Sequence, residues 1–514
     1  MVKDKGAVYL LLPIAFEITL PQLSQQSLHD SLYSAAQCRQ MDAQVAADLN
    51  IEPFELMQRA AKSALNTLLQ NYPSAGAISV WCGKGNNGGD AYLLAAYAKD
   101  MGLEVQLVAV EDVALLSGDA QQAYHAAVEA GLIPSSNLEI VQADVVVDGL
   151  LGTGLNRAPA EHMSAAIDHI NNSGLPILSI DVPSGVNAST GDIPGICVQA
   201  DSVVTFIAHK IGLHTGPGCG AFNHMNYDSL GAAVKGQGGL PLVKFNPAQL
   251  PKLDTNTYKH QQGHVVVVGG DRGMPGAVVL ASQAALRCGA GLVTCLTHGE
   301  HAQHLIARQP EIMVGDLSRA QQVLEQATIV VLGPGLGRLE WGEKLFELVQ
   351  QITSSRNIPC VLDADGLFWL AQAKQWCGGP LYITPHTAEA ARLLDCDVVQ
   401  VQKDRLAAAQ TLQKQFDCCG VLKGAGSVLF TPHDMAVCGH GNAGMATAGM
   451  GDVLSGIAGG LLAQAPTADA STVFVNAVCL HSAAADVAAD QFGQRSLLAS
   501  DVVDCISDLL KSSG

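Results

Sequence analysis

Two stretches of this 514-residue chain carry residues whose types and spacing suit catalysis. The first reads Gly441-Asn442-Ala443-Gly444-Met445-Ala446-Thr447-Ala448-Gly449-Met450-Gly451-Asp452, followed by an apolar run that opens Val453-Leu454-Ser455-Gly456 and looks helical. Glycines let backbone N–H groups approach a phosphate, and a helix starting there favours the negative charge that develops during phosphoryl transfer. An aspartate beside such an anion hole can take a hydroxyl proton, which makes Asp452 the candidate base. A capping aspartate on a flexible loop is the plainer reading, and the length of the glycine run argues against it.

Upstream, Lys423-Gly424-Ala425-Gly426-Ser427 ends a predicted strand and offers a lysine and backbone amides to a nucleotide phosphate, although alone this is a weak motif. Asp363-Ala364-Asp365 and Thr384-Pro385-His386-Thr387-Ala388-Glu389 close two further strands.

The second stretch is Gly83-Lys84-Gly85-Asn86-Asn87-Gly88-Gly89-Asp90, between the predicted strand Ile78–Cys82 and a helical run from Ala91. It contains G-x-G-x-x-G in a strand-to-helix setting, where N–H groups can cradle a phosphate. A dinucleotide dehydrogenase would add an acidic residue about twenty positions on, a place that Glu111 fills. The Asn and Asp side chains, however, bring acceptors and amide donors that a bare phosphate loop does not need. Two more strand ends, Val147-Asp148-Gly149-Leu150-Leu151-Gly152-Thr153-Gly154-Leu155-Asn156 and Ile180-Asp181-Val182-Pro183-Ser184-Gly185, carry polar or glycine-rich turns. Ligands of open α/β sheets lie outside the carboxyl ends of strands, so the three segments are candidates to converge. Singly, each reads first as a turn with an Asp cap.

The elements that must position these loops are α/β. A helical lead-in from Ala35 to about Gln70, broken near Pro53, precedes strands at Ile78–Cys82, Val105–Val110, Val145–Leu150, Ile177–Asp181 and Val203–Ala208. The pattern lapses between Leu230 and Lys259, then resumes at His264–Gly270, Leu292–Thr297, Thr328–Leu332, Cys360–Asp363, Leu381–Thr384 and Val421–Lys423. Strands alternating with helices predict parallel sheets covered on both faces. The expected organisation is an N-terminal extension, 1–34, a first domain, 35–235, and a second, 236–514.

Composition narrows the function. With 48% hydrophobic residues, only 15% charged and 53 glycines, the chain suits a compact α/β protein. A net charge of -19 without a basic cluster argues against nucleic acid, where affinity comes from neutralising phosphates. Fourteen cysteines include no C-x-x-C pair, which fits reduced thiols in the cytoplasm and no zinc site. Lys3 and Lys5 precede an apolar run, Ala7 to Phe16, but Pro13 interrupts it and it is too short to span a bilayer. A cytoplasmic extension and no membrane partner are therefore expected.

Gly85-Asn86-Asn87-Gly88-Gly89-Asp90, with Gly152-Thr153-Gly154 and Asp181-Val182-Pro183-Ser184-Gly185, resembles the NAD(P)H-hydrate epimerase domain and gives the first half a Rossmann-like fold. The resemblance implies a damaged, hydrated dinucleotide as substrate. It implies that Asn86, Asn87, Gly88, Gly89 and Asp90, the run Gly152-Thr153-Gly154-Leu155-Asn156-Arg157-Ala158, and Asp181 line its site, with Asp181 as acid/base. It further implies a potassium ion (K+) near Asn87, Asp148 and Ser184. The family usually has Gly where Ala91 stands.

Across roughly 245–510, the Gly441–Gly456 loop with Val268-Gly269-Gly270-Asp271, Ala285-Leu286-Arg287-Cys288-Gly289-Ala290-Gly291-Leu292-Val293 and Leu332-Gly333-Pro334-Gly335-Leu336-Gly337 resembles the ribokinase-like superfamily, specifically the ADP- or ATP-dependent NAD(P)H-hydrate dehydratase. This implies that Ala277, Gly337, His386 and Asp452 touch the hydrate, that Lys423, Gly424, Ala425, Gly426, Ser427 and Gly451 bind ADP or ATP, and that magnesium (Mg2+) bridges nucleotide oxygens. The family commonly has Pro-Gly where Thr387 and Ala388 stand, and many relatives carry Gly at Ala448.

The two resemblances together imply one bifunctional enzyme that interconverts the R and S hydrates (NADHX, NADPHX) and dehydrates the S form, with a tilt to ADP. A homo-oligomer is expected. The alternative is a ribokinase-like kinase for a vitamin-type alcohol with an accessory nucleotide-binding domain.

Overall fold

The computed structural model of the protein describes residues 31–232, 238–253, 255–465 and 470–511. The first half is built on a six-stranded sheet in the order Glu104–Ala109, Ala77–Cys82, Val145–Gly149, Ile177–Ile180, Ala200–Phe206, Phe222–Asp228, every neighbouring pair parallel. Ala77–Cys82 is buried throughout, with Ile78 and Val80 in the core on one face and Trp81 in the core on the other. That two-sided burial explains its unbroken apolar reading. The helical lead-in is two helices, Ala35–Leu49 and Pro53–Asn71, separated where Asn50 turns left-handed (φ 53°) and Pro53 starts the second.

The second sheet has twelve strands. Met313–Gly315, Leu292–Leu296, His264–Val268, Ile329–Leu332, Cys360–Leu362, Leu381–Ile383 and Cys419–Leu422 lie side by side and parallel. An antiparallel hairpin follows, Val428–Phe430 with Met435–Cys438. Both domains are thus α/β, as the sequence predicts.

Beyond the hairpin the sheet crosses into the first half. Leu240–Val243 pairs with Met435–Cys438, Ser31–Tyr33 pairs with Leu240–Val243, and His209–Lys210 pairs with Ser31–Tyr33. This corrects two readings: the end of the expected extension and the patternless segment after Leu230 both contribute strands. Their brevity, with Pro241 inside one of them, hid them. Residues 1–30 of the extension lie outside the described residues.

Helix Met450–Ala463 crosses helix Pro275–Arg287 at backbone contact, since a Cβ on Gly456 would stand 2.1 Å from the Ala281 carbonyl oxygen. The crossing pins the helix that begins at the Gly441–Gly456 loop. Helix Ala470–Phe492 is long and apolar enough to cross a membrane, yet 72% of its apolar window is buried inside the protein, where it packs on Met450–Ala463 as a core helix.

Candidate functional site

In each sheet the strand order reverses at one strand: Ala77–Cys82 in the first, flanked by Glu104–Ala109 and Val145–Gly149, and His264–Val268 in the second, flanked by Leu292–Leu296 and Ile329–Leu332. Such a switch point opens a crevice at the carboxyl ends of the strands.

In the first domain a cleft of about 1030 Å³ occupies that crevice. Its walls include Asn86, Asn87 and Asp90, the run Gly152-Thr153-Gly154-Leu155-Asn156-Arg157-Ala158, and Asp181, so the three loops do converge. Their local form differs from a phosphate loop. The helix starts at Asn86, placing Asn86–Asp90 in its first turns. Gly88 and Gly89 are buried, and a Cβ on Gly88 would stand 2.0 Å from the Gly83 carbonyl oxygen. These glycines serve packing, while the Asn and Asp side chains face the cleft. Glu111 lines the cleft too, ion-paired with Lys84 at 2.9 Å.

Asp181 holds a left-handed backbone (φ 64°) at its strand end, a conformation that Asp tolerates at some cost. Lys210 Nζ donates to Asp181 Oδ1, to Thr205 Oγ1 at 3.0 Å and to the Phe206 carbonyl at 2.9 Å. Burial opposes the charge of Lys210, but Asp181 beside it holds the ammonium above its ordinary range. Two further carboxyls share this field. Burial, then Asp181, pushes Asp90 well above the carboxylate range, and Asp42, on helix Ala35–Leu49, is raised to about 6, chiefly by burial and against the pull of Lys210.

Asn87, Asp148 and Ser184 come together around Leu151. Asn87 Nδ2 donates to the Leu151 carbonyl at 3.1 Å, and Ser184 Oγ lies 3.1 Å from that same oxygen and 2.6 Å from Asp148 Oδ1. Asn87 Oδ1 is buried without a hydrogen-bond partner. A buried amide oxygen left over beside one carboxylate and a hydroxyl suits a large, weakly charged cation that takes oxygen ligands.

In the second domain, the ends of four neighbouring strands carry the predicted groups. Lys423 Nζ donates to Asp363 Oδ1 at 2.7 Å and lies 3.9 Å from Glu389 Oε2. Asp452 stands in the first turn of helix Met450–Ala463, whose cap, Gly449, is left-handed (φ 90°). Burial, and then Asp363, raise Asp452 to about 7, with Lys423 pulling the other way. Gly451 passes so close that a Cβ would stand 3.0 Å from Asp363 Oδ2 and 3.2 Å from Lys423 Nζ.

Gly337, left-handed at φ 77°, donates its N–H to Asp365 Oδ2 at 3.0 Å, and a Cβ there would meet Asp271 Oδ2 at 2.3 Å. Ala277 lies in the first turn of helix Pro275–Arg287, its Cβ close to Gly335. His386 caps helix Thr387–Leu394, with Nδ1 accepting from the N–H groups of Ala388 and Glu389 at 3.1 and 3.4 Å. Burial and Lys423 lower its pKa, which keeps the ring neutral and able to accept.

Sequence profiles fall on the same two regions. One described as "YjeF-related protein N-terminus" matches residues 53–212, and one described as "NAD(P)H-hydrate dehydratase" matches 265–508. The bifunctional NAD(P)H-hydrate repair enzyme Nnr of Escherichia coli (strain K12) is 41% identical over 94% of this chain and 95% of its own length. The chain belongs to the bifunctional NAD(P)H-hydrate repair enzyme family. The family's Coxiella burnetii member is 39% identical over 92% of the chain and 97% of its own. A crystal structure of the ADP/ATP-dependent NAD(P)H-hydrate dehydratase from Bacillus subtilis, co-crystallised with ATP/Mg2+, matches 52% of the chain and 96% of its own at 27% identity and a TM-score of 0.47.

Against the repair-enzyme pattern, Ala91 is accommodated because the residue facing it is Gly149, where a Cβ would stand 2.4 Å from that of Ala91. Thr387 has a use of its own, since its hydroxyl lies 3.4 Å from Arg405 Nη1. Sequence reasoning missed Lys210, Asp42 and Arg405. A lysine two residues beyond the predicted strand Val203–Ala208 was a signal for the first; Asp42 and Arg405 sit on helices and carry none.

Proposed function

We infer that the chain is a cytoplasmic bifunctional repair enzyme that exchanges the R and S epimers of hydrated NADH and NADPH and dehydrates the S epimer with ADP or ATP. The observation that carries this reading is the pairing, in one chain, of a cleft closed by Asp181 and Lys210 with a helix N-terminus that holds a carboxyl raised to about 7. All fourteen cysteines are free thiols, which suits a reducing compartment. A homo-oligomer belongs to the same proposal.

In the first site, the acid/base Asp181, in its pair with Lys210, relays a proton to the C6 hydroxyl, which leaves as water as the ring nitrogen's lone pair takes up the positive charge. Water returning to the other face surrenders a proton to the carboxylate and completes the exchange. Lys210 keeps Asp181 aimed into the cleft. Potassium held by Asn87, Asp148 and Ser184 would supply positive charge next to the buried carboxylate.

In the second site, Asp452 takes the C6 hydroxyl proton as that oxygen attacks the terminal phosphorus of the nucleotide. The N–H groups at the start of helix Met450–Ala463 face the charge that develops. The P–O bond to the nucleotide breaks, and the ring nitrogen's lone pair then expels phosphate from C6. Loss of a proton from C5 restores the dihydropyridine. Magnesium would neutralise the nucleotide's phosphate oxygens, with Lys423, Gly424, Ala425, Gly426 and Ser427 around them and Ala277, Gly337 and His386 along the hydrate.

Purified protein given mixed hydrate epimers and ADP or ATP should restore dihydronicotinamide absorbance. Absence of recovery from either epimer rejects the reading, and accumulation of a stable phosphorylated alcohol would indicate a kinase instead.

A further inference from the structure

Arg405, on helix Arg405–Phe416, is 1% exposed, and no carboxylate pairs with it among the described residues. Burial lowers its pKa to about 10, so it stays charged. A buried guanidinium without a counter-ion is costly, and it persists only where its donors are well used. Here they go to neutral oxygens of both halves of the chain. Nη2 donates to the carbonyls of Leu422 and Lys423 at 2.9 and 3.2 Å, and Nε to Thr215 Oγ1 at 3.3 Å.

Thr215 is wholly buried and lies five residues beyond Lys210. Its hydroxyl donates to the Gly426 carbonyl at 2.7 Å, and the neighbouring Gly216 N–H donates to the Ala425 carbonyl at 3.0 Å. The fit leaves no slack: a Cβ on Gly426 would stand 1.7 Å from the His214 carbonyl oxygen, and one on Gly424 would stand 2.9 Å from Arg405 Nη2. Of the five successive carbonyls from Leu422 to Gly426, all but that of Gly424 are therefore bonded by Arg405, Thr215 and Gly216.

A trans peptide sets its N–H opposite its C=O. With the carbonyls of Lys423, Ala425 and Gly426 held in the junction, the N–H groups of Gly424, Gly426 and Ser427 are turned the other way, as a phosphate-binding loop needs. We propose that Arg405 and Thr215 are positioning residues for the nucleotide, so that the first domain completes the nucleotide site of the second. The proposal rests on the reading of the Lys423–Ser427 loop as the nucleotide's seat.

The test is dehydration of the pure S epimer, which needs no epimerase activity, measured against ADP and ATP concentration. Thr215→Val removes one hydroxyl at constant shape and should raise the nucleotide KM about fivefold, with kcat within about twofold of wild type. Arg405→Lys should do the same, and Thr215→Ser should restore the wild-type KM. An unchanged KM in both Thr215→Val and Arg405→Lys overturns the proposal, as does a fall in kcat alone. If Arg405→Lys fails to fold, Thr215→Val with its serine rescue decides. A wild-type enzyme that uses neither nucleotide would remove the reading of the loop itself, whereas normal wild-type turnover with unmoved KM values removes only the positioning role.

Discussion

Lys423 Nζ lies 2.7 Å from Asp363 Oδ1, and Asp452 titrates in the field of that pair, raised by Asp363 and lowered by Lys423. Burial is the larger cause and carries Asp452 to about 7. A base must be ionised to accept a proton, so kcat for dehydration of the S epimer should climb as pH rises through about 7 and level off above it. Asp452→Asn should lower kcat about a hundredfold or more while leaving epimer exchange intact. A flat pH–rate profile across neutrality would contradict the assignment.

The same carboxyl should cost stability. It ionises at 3.8 in its ordinary state and at about 7 in the fold, so the folded protein holds an extra proton between those values and loses stability as pH rises from one to the other. Asp452→Asn removes that loss. Melting temperatures of variant and wild type should coincide near pH 4 and separate in favour of the variant at about pH 8.

Lys210→Met should leave Asp181 without its ammonium partner and reduce epimer exchange about a hundredfold. Dehydration of the pure S epimer should continue, because the hydrogen bonds of Lys210 go to Asp181, Thr205 and Phe206 and neither Asp452 nor Lys423 is among its partners. NMR exchange between the epimers, followed without nucleotide, separates the two activities.

Asn87 Oδ1 is a buried acceptor without a partner, so a cation bound there should be felt in epimer exchange. Replacing potassium by lithium is expected to slow exchange in the wild type. Asn87→Leu should be slow in both salts. Equal wild-type rates would argue against the site.

Gly456→Ala places a Cβ 2.1 Å from the Ala281 carbonyl oxygen, a backbone atom that cannot swing away. Pushing helix Met450–Ala463 off helix Pro275–Arg287 should cost about 1–3 kcal/mol, read from the urea midpoint. It should also lower dehydration by moving Asp452.

Much of this was legible in order along the chain. Strands such as His264–Val268 and Ala77–Cys82 are buried on both faces, so their apolar runs stand out, and each strand–helix junction exposes its polar loop as a discrete motif. Asp181 and Asp452 stand out because the first directly follows a strand and the second opens a helix after a glycine-rich loop. The glycines of Asn86–Asp90 read along the chain as phosphate-approaching, since packing glycine and phosphate-loop glycine look alike until Gly83 is seen against Gly88.

The sequence by itself determined two α/β halves and the loops at their strand ends, with the two carboxyls proposed for the chemistry, because those features follow from local periodicity and turn composition. Only the tertiary structure decided that Lys210 pairs with Asp181, that Ser31–Tyr33 joins the two halves, and that Arg405 and Thr215 bond the carbonyls of the Lys423–Ser427 loop. These partners are 29 to 211 positions apart for Lys210 with Asp181 and Thr215 with Gly426. Contacts at such separation are set by sheet pairing and close packing, which leave no periodic trace along the chain.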